Sequence, residues 1–120
     1  MNPKAEETLK RIKRLIIDVV SLIDQFPKTT ASFKIAGQVM DSITSIGANF
    51  VEAQSARSRK EFASIMGVVL RETRETIFWL DITQELKLVP EKKVDIINQE
   101  CIELAKIFSS AILTISEEKK

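Results

Sequence analysis

Apolar residues in this chain recur at alternating steps of three and four, four times over, which restricts it to helices that each bury one stripe. Leu9, Ile12, Ile16, Val19 and Ile23 form the first stripe; Ala36, Val39, Ile43, Ile46, Phe50 and Ala53 form the second. The third runs through Phe62, Ile65, Val69, Thr73, Thr76 and Leu80, widened by Met66, Leu70, Ile77 and Phe78. Val94, Ile97, Cys101, Leu104, Phe108, Ala111 and Ile115 form the fourth. No alternating run of about 4–8 residues bounded by turn residues offers a strand.

Local signals set the boundaries. Pro27 stops the first helix, because its ring cannot donate to the helical ladder and pushes the preceding residue out of the α region. Thr29 or Thr30 caps the second. Ser58-Arg59-Lys60-Glu61 reads as a capping box, with Ser58 accepting the Glu61 N–H and Glu61 reaching back. Pro90 suits the first turn of the fourth helix. The expected helices span about 4–25, 30–53, 58–86 and 90–116, with Glu117 to Lys120 fraying and Lys119 and Lys120 complementing the dipole. At 1.5 Å per residue each is roughly 33–43 Å long, and the short linkers make neighbours antiparallel. The expectation is all-α: one domain over residues 1–120, an antiparallel up-down-up-down four-helix bundle.

Composition narrows the function. The chain has no His, which removes the usual general base, the usual neutral metal ligand and every triad built on imidazole. Glu100 and Glu103 could suggest a di-iron bundle, but such sites use Glu-x-x-His pairs. Neither a P-loop nor a dinucleotide fingerprint nor a nucleophile elbow occurs, so the expectation is no enzyme, no metal and no cofactor. A single Cys, Cys101, makes no intramolecular disulfide and suits a reducing cytosol. Met1 to Leu15 lacks the apolar core of a signal peptide, and the longest uncharged stretches, Ser42 to Val51 and Ile107 to Ser116, are far below the roughly 20 residues a membrane span needs. The expected location is cytoplasmic, away from membranes.

From Gln38 to Leu88 the sequence resembles the four helix bundle proteins, also called 23S rRNA intervening-sequence proteins. In that family helix 2 typically ends with Asn, an apolar residue, any residue and Glu, followed by a linker with Arg and then Ser and Lys-Glu-Phe. Asn49, Glu52, Arg57, Ser58, Lys60, Glu61 and Phe62 stand at those positions, and Arg74-Glu75-Thr76 with Trp79-Leu80 is similar to one branch. The chain departs from the pattern in the linker, where Ala53 and Ser55 stand in place of the common glycines. The resemblance implies a ring-shaped homopentamer without known catalytic activity. It also implies an association with nucleic acid: members occur in reading frames inserted in 23S rRNA genes, and a related branch is an accessory subunit of diversity-generating retroelements that engages nucleic acid and a reverse transcriptase.

The residues allow several sites. Asn49 and Glu52 share a helix face and form either a polar binding site or a cap tied to Arg57 or Arg59. Arg57, Arg59 and Lys60 gather at the positive end of helix 3, either as an anion site or as a turn neutralised by Glu52 and Glu61. Lys10, Arg11, Lys13 and Arg14 help give residues 1–60 ten basic and six acidic groups, net +4, against eight and eleven, net −3, in residues 61–120. Repeated around an oligomer they form either a rim that binds RNA or DNA or a face that pairs with a neighbour's acidic half. Arg71 and Glu75 are spaced to pair, while Arg71, Arg74, Phe78 and Trp79 suit a subunit interface. Gly37, Gly47 and Gly67 suit close helix contact rather than phosphate. Two functional classes follow: a homo-oligomeric scaffold or adaptor associated with nucleic acid, or a module that engages only protein.

Overall fold

The computed structural model describes residues 1–118 and contains four helices: α1 Pro3–Ile23, α2 Thr30–Ala53, α3 Arg59–Glu85 and α4 Glu91–Glu118. Each end has a chemical cause. At the start of α1 the Asn2 side chain accepts the Ala5 N–H at 2.7 Å, and Pro3 supplies a preset φ. The helix closes two residues earlier than expected: the N–H groups of Gln25 and Phe26 turn to the carbonyls of Leu22 and Ile23, both at 3.0 Å, in a tightened last turn ahead of Pro27. Thr29, not Thr30, caps α2 by accepting the Ser32 N–H at 3.1 Å. Only half of the expected box forms at α3. Ser58 accepts the Glu61 N–H at 3.0 Å, and no hydrogen bond returns from the Glu61 carboxylate among the described residues. The α2–α3 linker also needs no glycine, because no residue in it has positive φ. Pro90 stands one residue before α4 rather than within it, its carbonyl accepting the Lys93 N–H at 3.1 Å. The helix continues through Glu118 where fraying was expected, and Lys119 and Lys120 lie outside the described residues.

The end of α3 carries a feature no pattern signalled. Lys87 has φ 52°, in the left-handed region, with its N–H on the Gln84 carbonyl at 3.0 Å and the Leu88 N–H on the Thr83 carbonyl at 3.2 Å. This is a Schellman closure with lysine where glycine is usual.

The helices form a square in which α1 touches α2 and α4, and α3 touches α2 and α4. Backbones across the diagonals stay apart, and side chains fill the centre, where the Phe50 and Phe108 rings lie 6.0 Å apart. Ile12, Val19, Val39, Ile43, Ile46, Val69, Leu80, Val94, Leu104 and Phe108 are fully buried, matching the four stripes. Gly47 sets the α1–α2 approach: a Cβ there would stand 3.2 Å from Ile16 Cδ1 and 3.5 Å from Ile12 Cγ2. Thr73, Thr76 and Thr83 are fully buried on α3 without leaving orphan hydroxyls, because each bonds the carbonyl four residues back. Thr76 also joins Ser42 of α2 at 2.8 Å, which fixes the α2–α3 register.

Two changes test these ends by denaturant titration. Ser58→Ala should lower stability by about 0.5–2 kcal/mol through loss of the cap. Lys87→Gly should raise it by about 0.5–1 kcal/mol by relieving the left-handed backbone.

Candidate interaction surfaces

Antiparallel packing brings the α2–α3 linker, the start of α1 and the end of α4 to one end of the bundle. Asn2, Lys4, Phe50, Phe62, Lys106 and Ile115 line a depression of about 490 Å³ there. Arg57 in the linker and Arg59 and Lys60 in the first turn of α3 are exposed beside it. A tie from Asn49 or Glu52 to Arg57 is not made among the described residues. Asn49 donates to the Ser45 carbonyl of its own helix at 2.9 Å, Glu52 is exposed, and no bond joins either to Arg57 among the described residues.

Four of the α1 cations, Lys10, Arg11, Lys13 and Arg14, meet different fates. Arg11 is drawn to α4, where its Nε donates to Glu100 at 3.0 Å and its Nη2 reaches the second carboxylate oxygen. That hydrogen bond to Glu100 raises the guanidinium pKa further above its ordinary value, against a smaller opposing effect of burial. Arg14 makes an exposed pair with Asp18 at 3.3 Å. Lys10 and Lys13 are exposed and have no ion pair among the described residues.

On α3, Arg71 and Arg74 are exposed, Phe78 is 54% exposed, and Trp79 is half-buried with its ring edge-on to Phe78 at 5.0 Å. The indole Nε1 is buried and has no partner among the described residues. Among the described residues the Arg71–Glu75 spacing does not close into an ion pair. The carboxyl of Glu72, one turn from Thr76, is pushed above its ordinary value, first by burial and then by Glu75 and Asp41, with Arg71 opposing.

The exposed apolar side chains were only partly legible in the sequence. Ile17, Val20, Phe33, Val51, Phe78 and Leu113 are exposed apolar side chains. Phe33, Val51 and Leu113 stand off the core stripes, and an apolar residue off a stripe is the signal that marks them. Gly37 and Gly67 differ from Gly47, since a Cβ at either would meet nothing within 4 Å. Of the three glycines expected to suit close helix contact, Gly47 makes one within the protomer, and Gly37 and Gly67 make none there. Cys101 is buried as expected, and burial pushes its thiol up to about 12, which keeps it protonated and unreactive. Among the described residues no cluster of His, Cys, Asp or Glu could hold a metal ion, and no helix is long and apolar enough to cross a membrane.

Fold and surface define an antiparallel four-helix bundle whose notable features are exposed cations at one end and apolar side chains on its flanks. The chain belongs to the 23S rRNA-intervening sequence protein family, whose model matches residues 4–110. It is also similar to the crystal structure of a protein with unknown function from the S23 ribosomal protein family of Bacteroides thetaiotaomicron VPI-5482. That similarity has a TM-score of 0.81 and 28% identity, and covers 88% of this chain and 97% of the other. Comparison with curated proteins returns no match.

The Glu72 environment yields a pH dependence of known sign. A carboxyl raised in the folded state is tolerated when protonated and lowers stability as pH rises through the interval between its unfolded and folded values. Glu72→Gln should therefore raise the denaturation midpoint at pH 7 and leave it unchanged at pH 3, as followed by circular dichroism.

Proposed function

We propose that this protein is a non-enzymatic, homo-oligomeric scaffold that associates with nucleic acid through the basic end of the bundle. The observation that supports it is the gathering of Arg57, Arg59, Lys60, Lys4 and Lys106 at one end, where Lys106 is paired with Glu103 at 3.5 Å and the positive ends of α1 and α3 alternate with the negative ends of α2 and α4. Lys10 and Lys13 extend the cationic surface roughly 10–15 Å along α1. Arg11 contributes less, since Glu100 occupies its guanidinium.

Each protomer carries a net charge of only +1, so useful affinity comes from repetition. Copies in a ring present the same basic end side by side, and several weak phosphate contacts then act as one. The family resemblance favours a pentamer. Such a surface reads phosphate and shape rather than base sequence. The chain has no Tyr, Phe50 and Phe108 are buried in the core, and the exposed Phe33 and Phe78 lie on the flanks of the bundle, so few aromatic platforms stand beside the basic end for stacking. The whole chain is read as a single domain in the cytoplasm, and the cavity near Lys4 as a cleft of that basic end rather than a catalytic pocket.

The rival reading, a module that engages only protein, is favoured by the exposed apolar side chains on the flanks. A gel-shift titration with structured RNA at two salt concentrations separates the two. Wild type should bind with a steep salt dependence. Replacing Arg57, Arg59 and Lys60 together by Gln should weaken binding and reduce the magnitude of the log–log salt slope by about two to three. Equal affinity of both proteins across salt would favour the protein-only module.

A further inference from the structure

We infer that the cavity between the start of α1 and the end of α4 binds a small monocarboxylate with an apolar chain of medium length, the chemistry of a medium-chain fatty acid. The site goes beyond the nucleic-acid reading and shares only Lys4 and Lys106 with it.

The space arises from a mismatch of helix lengths. α1 has 21 residues and α4 has 28, which leaves α4 longer by roughly 10 Å. The Arg11–Glu100 pair sets their antiparallel register, so that Asn2, nine residues before Arg11, stands beside Ser109, nine residues after Glu100. α4 therefore runs on past the start of α1, and no turn of α1 covers Ala111 and Ile115. The break in α1 is local in origin, because Asn2 caps the helix and Pro3 opens it. Phe50 from the end of α2 and Phe62 from the start of α3 complete the lining. The resulting cavity of about 490 Å³ falls within the size range of small-molecule sites.

Three properties of the lining select the occupant. The first is an apolar row: Ile107, Ala111 and Ile115 are half-buried and step by four along α4. That row is about 12 Å long, the reach of an extended chain of about eight to ten carbons at roughly 1.2 Å per bond. The second is that polar side chains of the lining already hold partners on their own helices. Thr8 donates to the Lys4 carbonyl at 3.0 Å, Thr114 to the Ser110 carbonyl at 2.9 Å and Gln54 to the Phe50 carbonyl at 3.0 Å. Few groups are left to recognise a sugar or a base, which favours an apolar body. The third is the charge of the rim. Lys4 is exposed and has no ion pair among the described residues, while Lys106 stands 3.5 Å from Glu103. Lys4, Lys106 and Glu103 together leave one positive charge, which complements a carboxylate, whereas a doubly charged phosphate would exceed it and meet the Glu103 carboxylate. No amino-acid side chain joins an apolar stem of this length to a carboxylate, which favours a small molecule over a protein segment.

Calorimetric titration of the full chain with sodium octanoate tests the site. Octan-1-ol supplies the tail without the charge, and acetate and inorganic phosphate supply charge without the tail. Octanoate should bind once per chain, octan-1-ol roughly five- to ten-fold more weakly, and acetate and phosphate without saturation. Amide shifts on adding octanoate should centre on Ala5, Phe62, Ala111 and Ile115, which line the cavity or adjoin it. The double variant Lys4→Gln, Lys106→Gln should bind octanoate and octan-1-ol alike, and Ala111→Phe, which fills the space, should bind neither. Circular dichroism checks that the variants fold, and if Ala111→Phe does not, the map of amide shifts decides in its place. The proposal is overturned if wild type takes up no octanoate, if the shifts centre elsewhere, for example on the exposed Ile17 and Phe33, or if octan-1-ol binds wild type as tightly as octanoate. Full octanoate affinity in a folded Ala111→Phe protein overturns it as well. The titration contains no RNA, so its failure leaves the nucleic-acid reading standing.

Discussion

Everything in this structure depends on four helices having to bury one apolar stripe each around a common axis. A stripe of five to seven side chains, each contributing roughly 1.5–3 kcal/mol on full burial, cannot be satisfied by one neighbour, because it spans more than one inter-helical groove. The square solves this by giving every helix two neighbours and a share of the centre. Phe50 and Phe108 meet there across a diagonal that the backbones leave open.

Three of the four seams differ in how they are held. Between α2 and α3 the Ser42–Thr76 hydroxyl pair fixes the register among apolar residues that would otherwise tolerate sliding. Between α1 and α2 the device is steric: Gly47 admits the Ile12 and Ile16 side chains to the surface of α2. The α1–α4 seam is joined by Arg11 and Glu100, both about one-third exposed, a pair that orients the two helices more than it stabilises them. Near the starts of α1 and α3 this seam opens into the cavity lined by Lys4 and Lys106, so the loosest seam lies beside the basic end.

Legibility followed the same division. The stripes, the breaks at Pro27 and Pro90 and the cap at Ser58 are local signals, and helices α2 and α3 lie where those signals put them to within a residue. Errors arose where a local group had a choice of partner. Glu61 could have closed a box, Asn49 could have reached the linker and Arg71 could have paired with Glu75, but spacing permits a bond without compelling it. The left-handed Lys87 escaped notice because the usual marker there is glycine.

The sequence alone determined that this protein is an all-α antiparallel bundle, because periodicity and punctuation act within a few residues of each other and tolerate no other period. Membership of the 23S rRNA-intervening sequence family was likewise carried by short motifs around the α2–α3 linker. Only the tertiary structure decided which cations are free and which are spent, since Arg11 and Glu100 are 89 residues apart and meet only through packing. It alone separated Gly47, which lets two helices touch, from Gly37 and Gly67, which face open space. The physical reason is the same in both cases: a side chain's partner on another helix is set by the rotation and register of whole helices, and those are fixed by the core as a unit rather than by any residue's neighbours in the chain.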